Sequence, residues 1–216
     1  MKTILVLGAT GRTGRLVCKH RPDNATVYAG LRQASYVEGQ QSLPDGADAL
    51  RVVDIDDHTS LSTALESIDV VVNAIRLRED IAASALVELH QSIVAARDTS
   101  RELFVVHVGG AGALHMDDGR RFWETSGFPA VTLPRGIGHA HLRDYLEQYE
   151  QSCQWAYLIP PPRYAPDGPY QGRYSRLPAG DREQAFLTDG ISYEDFAAAL
   201  VDAVREEWHG VWLIGG

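Results

Sequence analysis

Lysine is nearly missing: Lys2 and Lys19 are the two in the chain, and no tyrosine has a lysine four residues after it. Cysteine is just as scarce. Cys18 and Cys153 are too few for a disulfide framework or a metal site and read as small apolar side chains in a reducing compartment. No apolar run approaches the roughly eighteen residues that span a bilayer. No basic cluster occurs, and the net charge of −9 argues against nucleic acid as the main partner. The apolar N-terminal run stops at Ala9 and meets Gly11-Arg12-Thr13-Gly14-Arg15, so it reads as a strand, not a signal peptide. The expectation is a soluble cytoplasmic protein with no metal and with neither nucleic acid nor membrane as partner.

What is present is organised around residues 4–17. Four apolar residues, Ile4 to Leu7, run into Gly8, Gly11 and Gly14, and a helical rhythm begins at Leu16 and Val17. A buried strand, a glycine turn and a helix in that order form a phosphate cradle. Gly8 allows the tight exit from the strand, Gly11 lets backbone N–H groups approach a pyrophosphate, and Gly14 lets the helix lie close to the sheet. The spacing is GxxGxxG, not the GxGxxG of the dinucleotide fingerprint. With 44% hydrophobic and 23% charged residues, the 216-residue chain reads as one domain over 1–216.

The remaining pattern alternates strands and helices. Strands are expected at Ala25–Leu31, Leu50–Val53, Val70–Val72, Phe104–Val108, Trp155–Ile159 and Val211–Ile214. Helices are expected at about 11–20, along Leu61–Ile68, from about Glu79 to Arg97, briefly near Asp118–Thr125 and over about His139–Gln151. The last helix is announced by a Ser192/Asp195 capping box with an Ile191/Phe196 staple. The fold class is α/β, a Rossmann-type doubly wound parallel sheet with a small C-terminal substrate lobe. Residues 160–190, with short strands at Gly172–Ser175 and Ala185–Leu187, are the substrate-side lobe or lid. After the second strand Arg32 and Ser35 stand where an NAD-specific fold places an acid. With Arg12 in the glycine turn they suit a 2′-phosphate, so NADP(H) is the expected cofactor.

The glycine turn, the strand-two arginine, Asp54 and Asn73-Ala74 resemble those of the atypical short-chain dehydrogenase/reductases. VVHVGGAGAL and the tail WAYLIPPPRY…GRYSR…ISYEDFAAALVDAV resemble the NAD(P)H–flavin reductase branch, related to flavin/biliverdin reductase and to the NmrA-like NADP sensors. The resemblance implies contacts from Asp54 and Ile55 to adenine and from Asn73, Ala74 and Ile75 to the adenosine half. It places Gly109 and Gly110 at the nicotinamide. The expected cofactor-binding set is Gly8, Thr10, Gly11, Arg12, Thr13, Gly14, Arg32, Asp54, Ile55, Asn73, Ala74, Ile75, Gly109, Gly110 and Pro160. Two departures matter. The Tyr-Lys proton shuttle of mainstream members is missing, which excludes that route. Gly110 replaces the serine of flavin/biliverdin reductase and Pro162 or Arg163 its histidine, which weakens the likeness to that enzyme.

The chemistry left over asks little of the protein. Reduction of a flavin takes a hydride at N5 and a proton that solvent can supply, so orienting two rings does much of the work. The expected function is an NADPH-dependent reductase of a planar acceptor, a flavin such as FMN or FAD as substrate, or a quinone. The alternative is a non-catalytic NADP(H)-binding redox sensor acting through a protein partner. Gly109 and Gly110 either leave room for a flat ring or turn the chain. Catalytic residues are not fixed by the sequence; His115, His139 and Arg163 are the candidates, with Arg135 a further polar residue nearby. Arg32→Glu is expected to weaken NADPH binding relative to NADH; equal titration ratios for wild type and variant would contradict the 2′-phosphate assignment.

Overall fold

Strands that are apolar on both sides need helices over both faces of their sheet. Four runs here meet that description, and they form the centre of the computed structural model, which describes residues 1–32, 42–78, 81–180 and 183–216. They are β1 (Lys2–Leu7), β4 (Val70–Asn73), β5 (Phe104–Val108) and β6 (Gln154–Ile159). With β2 (Ala25–Leu31), β3 (Ala49–Val52), β8 (Ser175–Pro178) and β10 (Gly210–Gly215) they make one sheet ordered β3-β2-β1-β4-β5-β6-β10-β8. Every pairing is parallel except β10 with β8. β7 (Arg163–Ala165) and β9 (Gly190–Ser192) form a separate parallel pair.

Side-chain alternation assigns the faces. Ile4, Val6, Val72, Val106 and Leu158 pack with α1 (Arg12–Lys19) and α5 (Tyr193–Glu206). Leu5, Leu7, Val71 and Val105 turn the other way, toward α2 (His58–Leu65) and α3 (Ala85–Ala95). Tyr157 and Ile159 continue that face under α4 (Leu133–Gln148). The doubly wound parallel sheet is as expected. No helix among the described residues is long and apolar enough to cross a membrane.

Several boundaries differ from the sequence expectation. α3 begins at Ala85, not near Glu79; residues 79 and 80 lie outside the described residues, and Ile81 lines a cavity instead of continuing the helix. α4 begins at Leu133, six residues before His139. Pro134 is tolerated there because the first-turn N–H it lacks has no intrahelical partner. Gly136 lies so close to Phe128 that a Cβ would stand 2.4 Å from the ring. The helix near Asp118–Thr125 is a single 3-10 turn, Phe122–Glu124. In the lobe, the strand begins at Ser175, where the expected one ended, and Ala185–Thr188 is a 3-10 turn, not a strand.

The last helix starts as its capping box requires, with a variation. The Ser192 hydroxyl accepts from Asp195 N at 3.0 Å. The Asp195 carboxylate accepts from the Ser192 hydroxyl at 2.6 Å and from Gln171 N and Gly172 N, tying the lobe to the helix. Ser192→Ala should cost about 1 to 2 kcal/mol of stability, loss of a cap plus a buried acceptor left short of one donor, read from urea unfolding.

Candidate functional site

The sheet order reverses between β1 and β4, and the crevice at the carboxyl ends of these strands is where parallel sheets hold ligands. Three glycines shape it. Gly8 leaves β1 with φ +75°, and a Cβ there would stand 2.8 Å from the Ala74 carbonyl oxygen. A Cβ on Gly14 would stand 2.2 Å from the Gly8 oxygen, so α1 can lie this close only without a side chain. Gly11 caps α1, donating to Gly8 O at 2.9 Å. No side chain caps α1 and no acidic residue lies in its first turn. A bare positive helix end over a glycine turn has the donor set for a diphosphate, so the residues fit a dinucleotide.

Around this crevice the expected residues divide. Thr10, Arg12, Arg32 and Asp54 are exposed, Ile55 is half-buried, and Ala74 donates to Leu7 O at 3.0 Å. Ser35 lies outside the described residues. Asp54 accepts from Asp56 N at 3.1 Å, an Asx turn that shapes the end of β3. Next to Ile55, a cavity of about 500 Å³ is lined by Leu77, Ile81 and Leu89 with Asp56, His58 and Glu88 among the polar residues. Thr13 is buried, and its hydroxyl meets that of Tyr164 at 2.9 Å; the Tyr164 ring stacks on Tyr193 at 3.7 Å. Burial and the neighbouring Tyr193 push the Tyr164 phenol up, so it stays protonated. Pro160 is buried at the end of β6.

Beyond β5 the two glycines have a different reason from either expected one. A Cβ on Gly109 would stand 2.6 Å from the Leu158 oxygen, and one on Gly110 would stand 2.5 Å from the His139 ring. The space their side chains leave is filled by β6 and α4. His139 Nδ1 lies 2.9 Å from the Tyr157 hydroxyl, which also lies 3.2 Å from the His139 carbonyl oxygen and accepts from the Gly110 backbone N–H. If Tyr157 donates along the shorter contact, His139 is the Nε2–H tautomer. Nε2 has no hydrogen-bond partner among the described residues. Burial first, then the charge of Arg135, lower the imidazole to about 4, so it is neutral.

The other two candidates lie elsewhere. His115 lines a separate cavity of about 580 Å³ with Arg143, Glu147 and Glu183. Desolvation and Arg121 lower its pKa. Arg163 spends its guanidinium on the lobe itself, donating to Thr188 O and, at 3.3 Å, to Asp189 O. The structure thus brings His139 to Gly110 and leaves His115 and Arg163 in other surroundings. Sequence reasoning missed Tyr157 and the hydroxyl contact between Thr13 and Tyr164. The one available signal was a tyrosine in the otherwise apolar run Ala156-Tyr157-Leu158-Ile159.

Comparison with known proteins agrees with this fold. The Bacillus subtilis (strain 168) protein YwnB, itself uncharacterized, is 26% identical over 211 residues, covering 94% of this chain and 92% of that one. A Burkholderia pseudomallei structure described as a candidate exported protein superposes with TM-score 0.79 at 26% identity over the full length of both chains. A Streptococcus pneumoniae TIGR4 structure described as a candidate NADH-flavin reductase superposes with TM-score 0.80 at 20% identity, covering 100% of this chain and 99% of that one. Residues 8–207 match the model of the NAD(P)H-binding family, so the strand, glycine turn and helix at the head of this chain belong to a member of that family.

Proposed function

We propose that the chain is an NADPH-dependent reductase of a planar, carbonyl-bearing acceptor of the flavin or quinone kind. The observation that carries it is the neutral His139 ring, held against Gly110 at the end of β5, whose Nε2 has no hydrogen-bond partner among the described residues. A neutral imidazole N–H is a hydrogen-bond donor that can polarise a carbonyl oxygen without titrating near neutrality. It needs no lysine, which this chain lacks beyond residue 19. The description of the Streptococcus pneumoniae relative as a candidate NADH-flavin reductase supports the same class.

The binding roles follow from position. The N–H groups at the start of α1 hold the diphosphate, with Gly8, Gly11 and Gly14 permitting the approach and Thr10 and Thr13 lining the turn. Arg12 and Arg32 take the 2′-phosphate, since paired guanidinium donors match phosphate oxygens. Asp54, Ile55 and the Asn73–Ile75 turn receive the adenosine half, and the cavity beside Ile55, with Leu77, Ile81 and Leu89 as its apolar wall, suits the adenine ring. Gly109, Gly110 and Pro160 form the floor at the nicotinamide end. Residues 160–190 form the substrate-side lobe, anchored by Tyr164 to Thr13 and by Glu183 to Arg143. A bound nicotinamide supplies the hydride; the chain aligns the acceptor and offers His139 as donor to its oxygen.

The direct test mixes protein, NADPH and FMN or a simple quinone and follows the absorbance of the reduced nicotinamide. No turnover across flavins and quinones would retire the proposal. His139→Phe keeps a ring but removes the donor, and should lower kcat about ten- to a hundredfold with the KM for NADPH little changed. Because the His139 pKa is lowered to about 4, the pH profile should show no inflection of its own between about pH 5.5 and 8. A wild-type inflection at about pH 6.5 that vanishes in His139→Phe would contradict the neutral-donor role.

A further inference from the structure

Four residues far apart in sequence form a buried line of hydrogen bonds beside the Asn73–Ile75 turn. Asn73 Oδ1 accepts from Ile75 N at 3.2 Å, and Asn73 Nδ2 lies 3.3 Å from His107 Nδ1. His107 Nε2 lies 3.0 Å from His90 Nδ1, and His90 Nε2 lies 2.7 Å from Glu150 Oε2. His90 is 0% and His107 1% exposed, so water cannot stand in for a missing partner. The far end is held too: Glu150 Oε1 accepts from Ser152 N and from the Ser152 hydroxyl, each at 2.6 Å.

The direction of every bond is fixed by its ends. Because Ile75 N–H must donate, Asn73 presents its oxygen there and its NH₂ to His107. His107 Nδ1 is then an acceptor and its Nε2 carries the proton. By the same step His90 Nδ1 accepts and its Nε2–H donates to the Glu150 carboxylate. Both imidazoles are neutral, as burial requires. Reversing one link reverses all, and the chain then meets Ile75 N–H donor against donor. A metal ion among His90, Glu150 and Cys153, whose ligand atoms lie within 4.8 Å of one another, would displace the Nε2 proton and force that reversal.

We propose that His107, His90 and Glu150 are positioning residues for the cofactor, a one-way hydrogen-bond line that holds the Asn73 amide and through it the Asn73–Ile75 turn. That turn carries the Ala74 carbonyl against Gly8, so its shape sets the floor of the crevice under the diphosphate. The proposal rests on the reading of this crevice as the nicotinamide-cofactor site.

The line is tested first in the wild-type protein. Nitrogen-15 spectra of the histidine side chains at neutral pH should show His90 and His107 as neutral Nε2–H tautomers; an Nδ1–H or charged form at either position overturns it. NADPH affinity by calorimetry comes next. His107→Leu should bind about fivefold more weakly or worse, while His107→Gln, whose amide can accept on one side and donate on the other, should stay within about twofold. Equal affinity for His107→Leu and wild type overturns the proposal, as does failure of His107→Gln to restore binding in a folded protein. If His107→Leu does not fold, Glu150→Leu at the far end is read in the same way. A wild type that binds no nicotinamide cofactor removes the site itself, whereas binding that ignores both leucine variants removes the line alone.

Discussion

The closeness of α1 to the first strand governs this molecule. A methyl group on Gly14 would lie 2.2 Å from the Gly8 oxygen, and one on Gly8 would strike the Ala74 carbonyl. Helix, first strand and fourth strand therefore meet at one crowded point made almost wholly of backbone. What the chain gains there is a row of amide donors with no competing side chain: no cap and no acid in the first turn of α1. Such an arrangement would repel little and attract an anion, which suits a chain of the NAD(P)H-binding family.

A second feature runs across the sheet. Asn73, His107 and Tyr157 lie in register on β4, β5 and β6 and face the same side, under α3 and α4. Polar groups in such a place are tolerable only when each has a partner, and each does: Asn73 with Ile75, His107 with His90, Tyr157 with Gly110 and His139. The consequence is a level of the sheet, just below the ligand crevice, whose geometry is set by directed bonds and not by fluid apolar contact.

Much of the fold was legible in the residues. β2 and β5 begin and end where the sequence places them, Ala25–Leu31 and Phe104–Val108, and the start of α5 follows from Ser192 and Asp195. α4 was harder, because Pro134, Gly136 and Gly138 argue against a helix until Phe128 and Ile81 are seen pressing on the two glycines. The lobe was hardest. β8 is exposed along its whole length, and β7 and β9 have three residues each, so neither hydrophobic alternation nor length marks them. At the site, the glycine turn could be read directly because its spacing is local. The histidine line could not, since His90, His107 and Glu150 meet only after three separate elements have packed. Gly109 and Gly110 were visible, but their cause was the nearness of Leu158 and His139.

Glu183 is a junction between two distant loops. It is 1% exposed and its two oxygens serve four donors: both terminal nitrogens of Arg143, at 2.7 and 2.8 Å, and the backbone N–H groups of His115 and Gly180. Arg143 also donates to Ala113 O at 2.9 Å. Swapping both charged partners for hydrocarbon, often harmless for an isolated interior ion pair, would here strand two main-chain N–H groups, those of His115 and Gly180, and leave Ala113 O with Arg121 as its remaining donor. The loop after β5 is therefore welded to Gly180 and Glu183, and the His115 and Gly180 amide protons should trade with solvent together, in a single opening event, and not one by one.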